Sequence, residues 1–355
     1  MLNRIVGIIG IKGKFGRWLE RFFIEQDCAV IGSDVGTPLT NQQVVEQAEV
    51  VVFSLPIRFV EEEIRSLIGF SRPNQLWMDV TSVKKPAVTM MLQSRAEVVG
   101  LHPMCAPTVS TLRGQKLVYH PARLTEKWRS WVEDFIRATN GMVKIATPEE
   151  HDRYMAVVQG APHALILVMA AMIRELGVSV PESMDYTSPF YRVVFCLMGR
   201  ILGQKPDLYA DIQMGNSVYV LPVLEALETE LQGFLKMVRK KDRVEFAREF
   251  EASRKYFGAN VAEASDFFDA LIKLMADLSD ENMLVLIVSN DKPGTLYQIT
   301  GILAGLGINL TSLHTQKIAD GKHKFLVGID QRKDTPIILE ACRQVCGIPC
   351  VEIVV

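Results

Sequence analysis

Residues 4–34 read RIVGIIGIKGKFGRWLERFFIEQDCAVIGSD. An apolar strand (4–9) enters a glycine-rich turn and then a helix from about Lys14 to Gln26. A second apolar strand, Cys28 to Gly32, leads to an acidic residue, Asp34. Strand, glycine loop, helix, strand and carboxylate is the order of a dinucleotide-binding unit. Glycines let the backbone turn tightly and approach a pyrophosphate, while the helix start offers free N–H groups and a positive dipole end. Gly10, Gly13, Lys14, Phe15 and Gly16 are the candidate contacts. The spacing departs from G-x-G-x-x-G, because Ile11 stands where the first glycine belongs and Gly10 comes one residue early. A carboxylate at Asp34 accepts hydrogen bonds from ribose hydroxyls and repels a 2′-phosphate. No Arg or Lys follows it before Arg58. NAD is therefore expected over NADP. The alternative is a turn that holds no ligand.

Further strands are expected at Val50–Leu55, Leu76–Val80, Glu97–Leu101 and Lys116–Tyr119, with a helix at Lys127–Thr139. This alternation predicts an α/β fold with a Rossmann-type parallel sheet over residues 1–148. From Glu149 to Leu278 strand signals vanish. Helices are expected at Glu149–Leu176, Pro189–Gly203, Pro206–Val238 and Arg243–Leu278, giving an all-helical domain over 149–278. Its broadly apolar helices suit packing across a twofold axis, hence a homodimer. Asp277–Asn282 (DLSDEN) reads as a polar linker. Residues 283–355 then follow a β-α-β-β-α-β order, the ferredoxin-like arrangement.

Bulk properties fit this division. A chain of 355 residues is expected to form two or three domains. Its formal net charge of −2 supplies no global attraction to nucleic acid or membrane. The N-terminus lacks the features of a signal peptide, and the apolar stretch Ala161–Ile173, interrupted by His163, is too short to span a bilayer. Six scattered cysteines form no disulfide framework, so a cytoplasmic location is expected. Cys342, Cys346 and Cys350 lack the fourth ligand that zinc wants, and no metal site is expected.

Catalytic groups of such sheets lie just beyond the strand ends. Three ends carry polar residues: Ser54-Leu55-Pro56, Asp79-Val80-Thr81-Ser82-Val83-Lys84 and Leu101-His102-Pro103-Met104. Ser54 and Pro56 border the expected cofactor crevice. A histidine held at a strand end is a candidate acid or base, with Ser82 as a possible partner.

These phrases, with EEHDRYMAVVQGAPH (149–163), SPFYR (188–192) and GRILGQKPDLYADI (199–212), make the chain similar to the prephenate dehydrogenase family from Val6 to about Gly258. The type fused in bacteria to chorismate mutase is the nearest in pattern, although no mutase domain is seen. The resemblance implies NAD-dependent oxidation of prephenate: hydride leaves the ring carbon bearing the hydroxyl, carbon dioxide is lost and the ring becomes aromatic. It implies that His102 accepts the hydroxyl proton, with Ser82 hydrogen-bonded to it. It also implies that Arg200 grips the ring carboxylate and that His163 lies near substrate or nicotinamide. Arg192, two helical turns before Arg200, and His151 are further candidate substrate contacts. The family usually continues HPM with Phe-Gly-Pro, where this chain has Cys105-Ala106-Pro107. That change keeps arogenate and 4-amino-4-deoxyprephenate open as substrates. The irregular glycine loop also keeps open a regulatory protein that senses an amino acid without catalysis. A β-hydroxyacid dehydrogenase is disfavoured, because its catalytic lysine has no counterpart in Glu149–Leu176.

Asn290-Asp291-Lys292-Pro293-Gly294, followed by Gly307-Ile308-Asn309-Leu310, resembles an ACT domain over Met283–Val355. The resemblance implies an amino-acid effector, L-tyrosine for an enzyme of tyrosine synthesis, held near Asp291, Gly294 and Asn309. A dimerisation module without effector is the alternative.

Overall fold

The computed structural model describes residues 3–109, 111–279, 282–318 and 322–354. The chain divides into two compact units, residues 1–236 and 237–355. The division falls inside the stretch expected to be one helical domain, whose helices are shared between the units.

The first unit opens with β1 (Ile5–Ile9), α1 (Lys14–Glu25), β2 (Ala29–Ser33), α2 (Asn41–Gln47), β3 (Val50–Phe53) and α3 (Ile57–Leu67). It continues with β4 (Leu76–Asp79), α4 (Lys85–Met91), β5 (Glu97–Pro103), β6 (Lys116–Arg123), α5 (Glu126–Thr139) and β7 (Met142–Ile145). The sheet order is β2-β1-β3-β4-β5-β6-β7. Both faces are covered, which explains the near-continuous apolar strands. Val52, Met78 and Val99 pack with Trp18, Phe23 and Trp128 on one side. Val51, Trp77 and Val98 pack with Val44 and Ile64 on the other. Strands β2 to β5 run parallel. The expectation of a wholly parallel sheet is corrected at β6, which pairs antiparallel with β5. Among the described residues no helix crosses over between those two strands, and a parallel return requires such a crossover.

Next come α6 (Pro148–Met155), a π-helical turn (Ala156–Gly160) and α7 (Ala161–Glu175). They form one continuous helix, Pro148–Glu175, of 28 residues. By length and composition alone this helix is long enough to cross a membrane, unlike the shorter apolar stretch expected from Ala161 to Ile173. Its first turns are nevertheless polar and packed: His151 and Asp152 are buried. Ile166 of α7 packs on Met198 and Ile201 of a later helix. After α8 (Val180–Asp185) come α9 (Pro189–Leu202), α10 (Pro206–Gly215) and α11 (Ser217–Lys240). The expected single helix Pro206–Val238 is broken at Asn216, whose side-chain amide donates to the Asp152 carbonyl at 2.7 Å.

The second unit holds α12 (Arg243–Phe257) and α13 (Asn260–Ser279). They replace one expected helix, because Gly258 adopts a positive φ of 56° between them. Helix α13 takes in Asp277–Ser279 of the expected linker, whose Asp280 and Glu281 lie outside the described residues. Then follow β8 (Met283–Val288), α14 (Thr295–Gly305), β9 (Leu310–Lys317), β10 (His323–Ile329), α15 (Pro336–Cys346) and β11 (Val351–Val354). The sheet order is β11-β8-β10-β9, antiparallel throughout. Its core joins Leu286, Val288, Ile299, Phe325, Val327 and Ile338.

Candidate functional site

The glycine loop lies between β1 and α1, where β1 is flanked by β2 and β3. This is the switch point of the strand order, where open α/β sheets bind ligands. Gly10 has φ +89°, and a Cβ there would stand 2.3 Å from the Ser54 carbonyl oxygen. A Cβ on Gly16 would stand 2.2 Å from the Gly10 carbonyl oxygen. Only glycine fits either position, so α1 begins tight against the end of β1. Ile11 has its own compensation. Its side chain lies over β2 at Gly32, where a Cβ would fall 2.3 Å from Ile11 Cδ1. The irregular spacing therefore preserves the turn.

No side chain caps α1 at Gly13, leaving the first-turn N–H groups of Lys14, Phe15 and Gly16 for an anion. The Phe15 ring packs beside Trp18, at 5.5 Å between centroids, so its backbone is what it offers. Lys14 Nζ lies 3.5 Å from Gln204 Oε1. Ser54 follows β3 with its carbonyl against Gly10, and Pro56 stands at the position before α3. Asp34 follows β2, and both its oxygens already accept backbone bonds, from Lys12 N–H at 2.9 Å and Val35 N–H at 2.7 Å. Each oxygen keeps a further lone pair for a ribose hydroxyl. Sequence reading looked for cations only after Asp34 and passed over Lys12. Its ammonium donates to the Val35 and Gly36 carbonyls at 2.8 and 3.1 Å, latching the glycine loop to the Asp34 turn. A narrow cradle, uncapped amides and a carboxylate at the second strand end fit a dinucleotide.

Three strand ends away, β5 presents His102, which is buried. Its Nδ1 lies 2.8 Å from Nε2 of His151, on α6. Nδ1 of His151 lies 2.7 Å from Oδ1 of Asp152. The same carboxylate accepts the Lys84 and Lys85 backbone N–H groups at 2.8 and 2.9 Å. One carboxylate thus joins the start of α4 to α6 and, through two imidazoles, to the end of β5. This corrects two expectations. Ser82 does not hydrogen-bond His102 among the described residues; the side chain bonded to the His102 ring is His151. His151 is not placed to touch substrate either: it is buried and both its ring nitrogens are engaged.

Two more groups escaped sequence reading. Lys84 is wholly buried, and its ammonium bonds to Asp79 and, at 2.7 Å, to the carbonyl of Leu101, the residue before His102. His120 on β6 stands edge-on to His151 with 5.1 Å between centroids, and its Nδ1 bonds to the Ala146 carbonyl at 2.7 Å. Burial pushes the His120 pKa down to about 4. Burial, then the neighbouring His151, Lys84 and His120, push the His102 pKa well below the ordinary 6.5. His102 is therefore neutral at physiological pH and suited to accept a proton. The signal in sequence was the histidine and lysine in strand and turn positions, but only the fold brings them together.

On the helices, His163 of α7 meets Tyr209 of α10 edge-on at 4.8 Å, with its Nδ1 buried and unpartnered. Burial pushes the Tyr209 pKa up, and the charge of Arg200, near the end of α9, opposes part of that shift. Arg192 lies two turns earlier on α9. Both guanidinium groups are exposed and free of ion pairs among the described residues. Cys105 is half-buried and joins the apolar cluster of Trp18 and Leu101. In the second unit Asp291 pairs with His323 at 3.4 Å. Gly294, at φ +99°, starts α14 without a side-chain cap. The Asn309 backbone N–H donates to Asp330 at 3.2 Å.

The chain matches known sequences over most of the first unit. The profile of the prephenate dehydrogenase nucleotide-binding domain matches residues 26–144, and that of the prephenate dehydrogenase dimerization domain matches residues 147–252. A probable arogenate/prephenate dehydrogenase of Methanocaldococcus jannaschii is 28% identical over 303 residues, which are 80% of this chain and 68% of that protein. The T-protein of Haemophilus influenzae is 28% identical over 258 residues, 72% of this chain and 68% of that protein. Among solved structures, prephenate dehydrogenase of Aquifex aeolicus, crystallised with hydroxyphenyl propionate and NAD+, superposes with a TM-score of 0.56 at 22% identity. That superposition covers 72% of this chain and 98% of the other, and it bears on the fold.

Proposed function

The chain belongs to the prephenate dehydrogenase family, and from that premise we propose that it converts prephenate to 4-hydroxyphenylpyruvate by NAD-dependent oxidative decarboxylation. The observation that carries this reading is the neutral, buried His102 at the end of β5. NAD, when held by Gly10, Gly13, Gly16, the first turn of α1 and Asp34, supplies the hydride acceptor. His102 takes the proton of the ring hydroxyl as that carbon is oxidised. Loss of carbon dioxide makes the ring aromatic, so the protein need not stabilise a high-energy carbanion. The substrate is a dianion, and Arg200 offers a fork suited to the ring carboxylate, with Arg192 and His163 as further contacts.

In this reading residues 1–148 bind the cofactor and 149–278 form the substrate and dimerisation domain. A second copy of the chain covers the exposed apolar faces of Pro148–Glu175 and its neighbours. Residues 283–355 act as an ACT regulatory domain that binds L-tyrosine near Asp291, Gly294 and Asn309, on the support of the β-α-β-β-α-β order and the uncapped, positive-φ start of α14.

The test follows NADH formation with prephenate, arogenate and 4-amino-4-deoxyprephenate, each with and without L-tyrosine. Prephenate is expected to give the highest kcat/KM, and tyrosine to lower it. Preference for an amino substrate overturns the substrate, and indifference to tyrosine overturns the effector. Arg200→Ala is expected to raise the prephenate KM about 30-fold or more, the low end for a desolvated charge pair losing one partner. An unchanged KM would place the ring carboxylate elsewhere.

A further inference from the structure

We propose that His151 and Asp152 are positioning residues that fix the tautomer of His102, so that Nε2 is the atom that accepts the substrate proton. The inference rests on His102 as the base and goes beyond it by naming the nitrogen and the residues that select it.

Asp152 Oδ1 accepts the Lys84 N–H, Oδ2 accepts the Lys85 N–H, and Oδ1 also faces Nδ1 of His151 at 2.7 Å. A carboxylate with backbone donors already on it is an acceptor. His151 therefore carries its proton on Nδ1. In a neutral ring Nε2 then holds a lone pair. That nitrogen lies 2.8 Å from His102 Nδ1, so His102 must carry its own proton on Nδ1. Its Nε2 is left with a lone pair, has no hydrogen-bond partner among the described residues and, unlike Nε2 of His120, is not sealed from solvent. When Nε2 takes a proton, the new positive charge faces a chain of acceptors that ends in a carboxylate. The other tautomer would set two lone pairs against each other across 2.8 Å.

A clip that merely holds α4 to α6 would need only the bonds from the Lys84 and Lys85 N–H groups. The two ring-to-ring and ring-to-carboxylate bonds add nothing to that clip except an ordered line of protons ending at His102. The groups facing His102 are His151 from α6, Lys84 from the turn before α4 and His120 from β6. Of these, His151 alone bonds to its ring.

Nitrogen-15 NMR of the intact protein tests the tautomer without any substitution, using His102→Asn to assign the signal. The expected spectrum shows His102 protonated at Nδ1 with a bare Nε2, and protonation at Nε2 overturns the proposal. Kinetics supply a second test. His151→Phe keeps a ring but removes the acceptor. It is expected to lower kcat roughly 10²-fold, below the ~10⁴ seen when a catalytic histidine is held in the wrong tautomer, with the prephenate KM within about threefold. Adding His151→Phe to His102→Asn is expected to cost nothing further, because the two act as a unit. Additive losses would mean a structural role. If His102→Asn itself left kcat intact, the base assignment would fail. If only the His151 arm failed, the base would stand without its positioning pair.

Discussion

His102→Asn is expected to lower kcat by roughly 10²- to 10⁴-fold, the range for loss of a general base, while the prephenate KM changes little. Asparagine keeps a polar side chain of similar reach on β5 but has no basic lone pair. In the proposed reading binding rests elsewhere, on the cations of α9, so the loss is expected to fall on the chemical step. The pH dependence has a definite sign. His102 works in its neutral form, and its pKa is pushed well below 6.5 by burial and by His151, Lys84 and His120. The acid limb of kcat/KM in the wild type is therefore expected below the ordinary histidine range, with activity retained as pH falls through 6.5. Steady-state rates from pH 5 to 9 for both proteins check this. A variant that keeps more than a tenth of the wild-type kcat would remove His102 from the chemistry. An acid limb at or above 6.5 would contradict the environment described for it.

The strand-end position of His102 was legible in sequence because buried parallel strands write themselves as apolar runs and a histidine stands out at the end of one. Its partners were not. His151 and Asp152 are 49 and 50 residues further on, at the start of a helix where polar residues are unremarkable. Ser82, closer in the chain and of suitable chemistry, was the natural choice, but the side chain bonded to the His102 ring is His151. The glycine loop shows the opposite case: Ile11 looked like damage to the motif, yet Gly32 on the next strand makes room for it. That compensation is visible only once the register Ile8 to Gly32 is known. Helix ends at Asn216 and Gly258 were missed because the apolar periodicity runs on past both. At Asn216 a tertiary hydrogen bond decides, and at Gly258 a positive φ does. The reversal at β6 depends on a connection without a helix, which composition does not announce.

Lys84→Met is expected to destabilise the first unit by about 3–5 kcal/mol, the cost of leaving one charge of a buried pair without its partner. Lys84 and Asp79 are both wholly buried. Without the ammonium, Asp79 Oδ2 keeps the Thr81 N–H at 3.1 Å and the Thr81 hydroxyl at 2.6 Å. Its Oδ1 has no hydrogen-bond partner among the described residues. The Leu101 carbonyl also loses its 2.7 Å donor, which loosens the strand one residue before His102. Methionine matches the length of the lysine stem, so packing is nearly kept and the electrostatic loss dominates. For a unit of this size each kcal/mol moves Tm by about 2–4 °C, so a fall of roughly 6–20 °C is expected in thermal melts. Asp79→Asn combined with Lys84→Met removes both charges and is expected to recover much of that fall, since replacing a whole buried pair is often close to neutral. The double variant separates the two things Lys84 does. If it regains stability but not kcat, the ammonium serves His102 through the Leu101 carbonyl and through its charge. If the single variant melts with the wild type, the Asp79–Lys84 pair does not hold the end of β5.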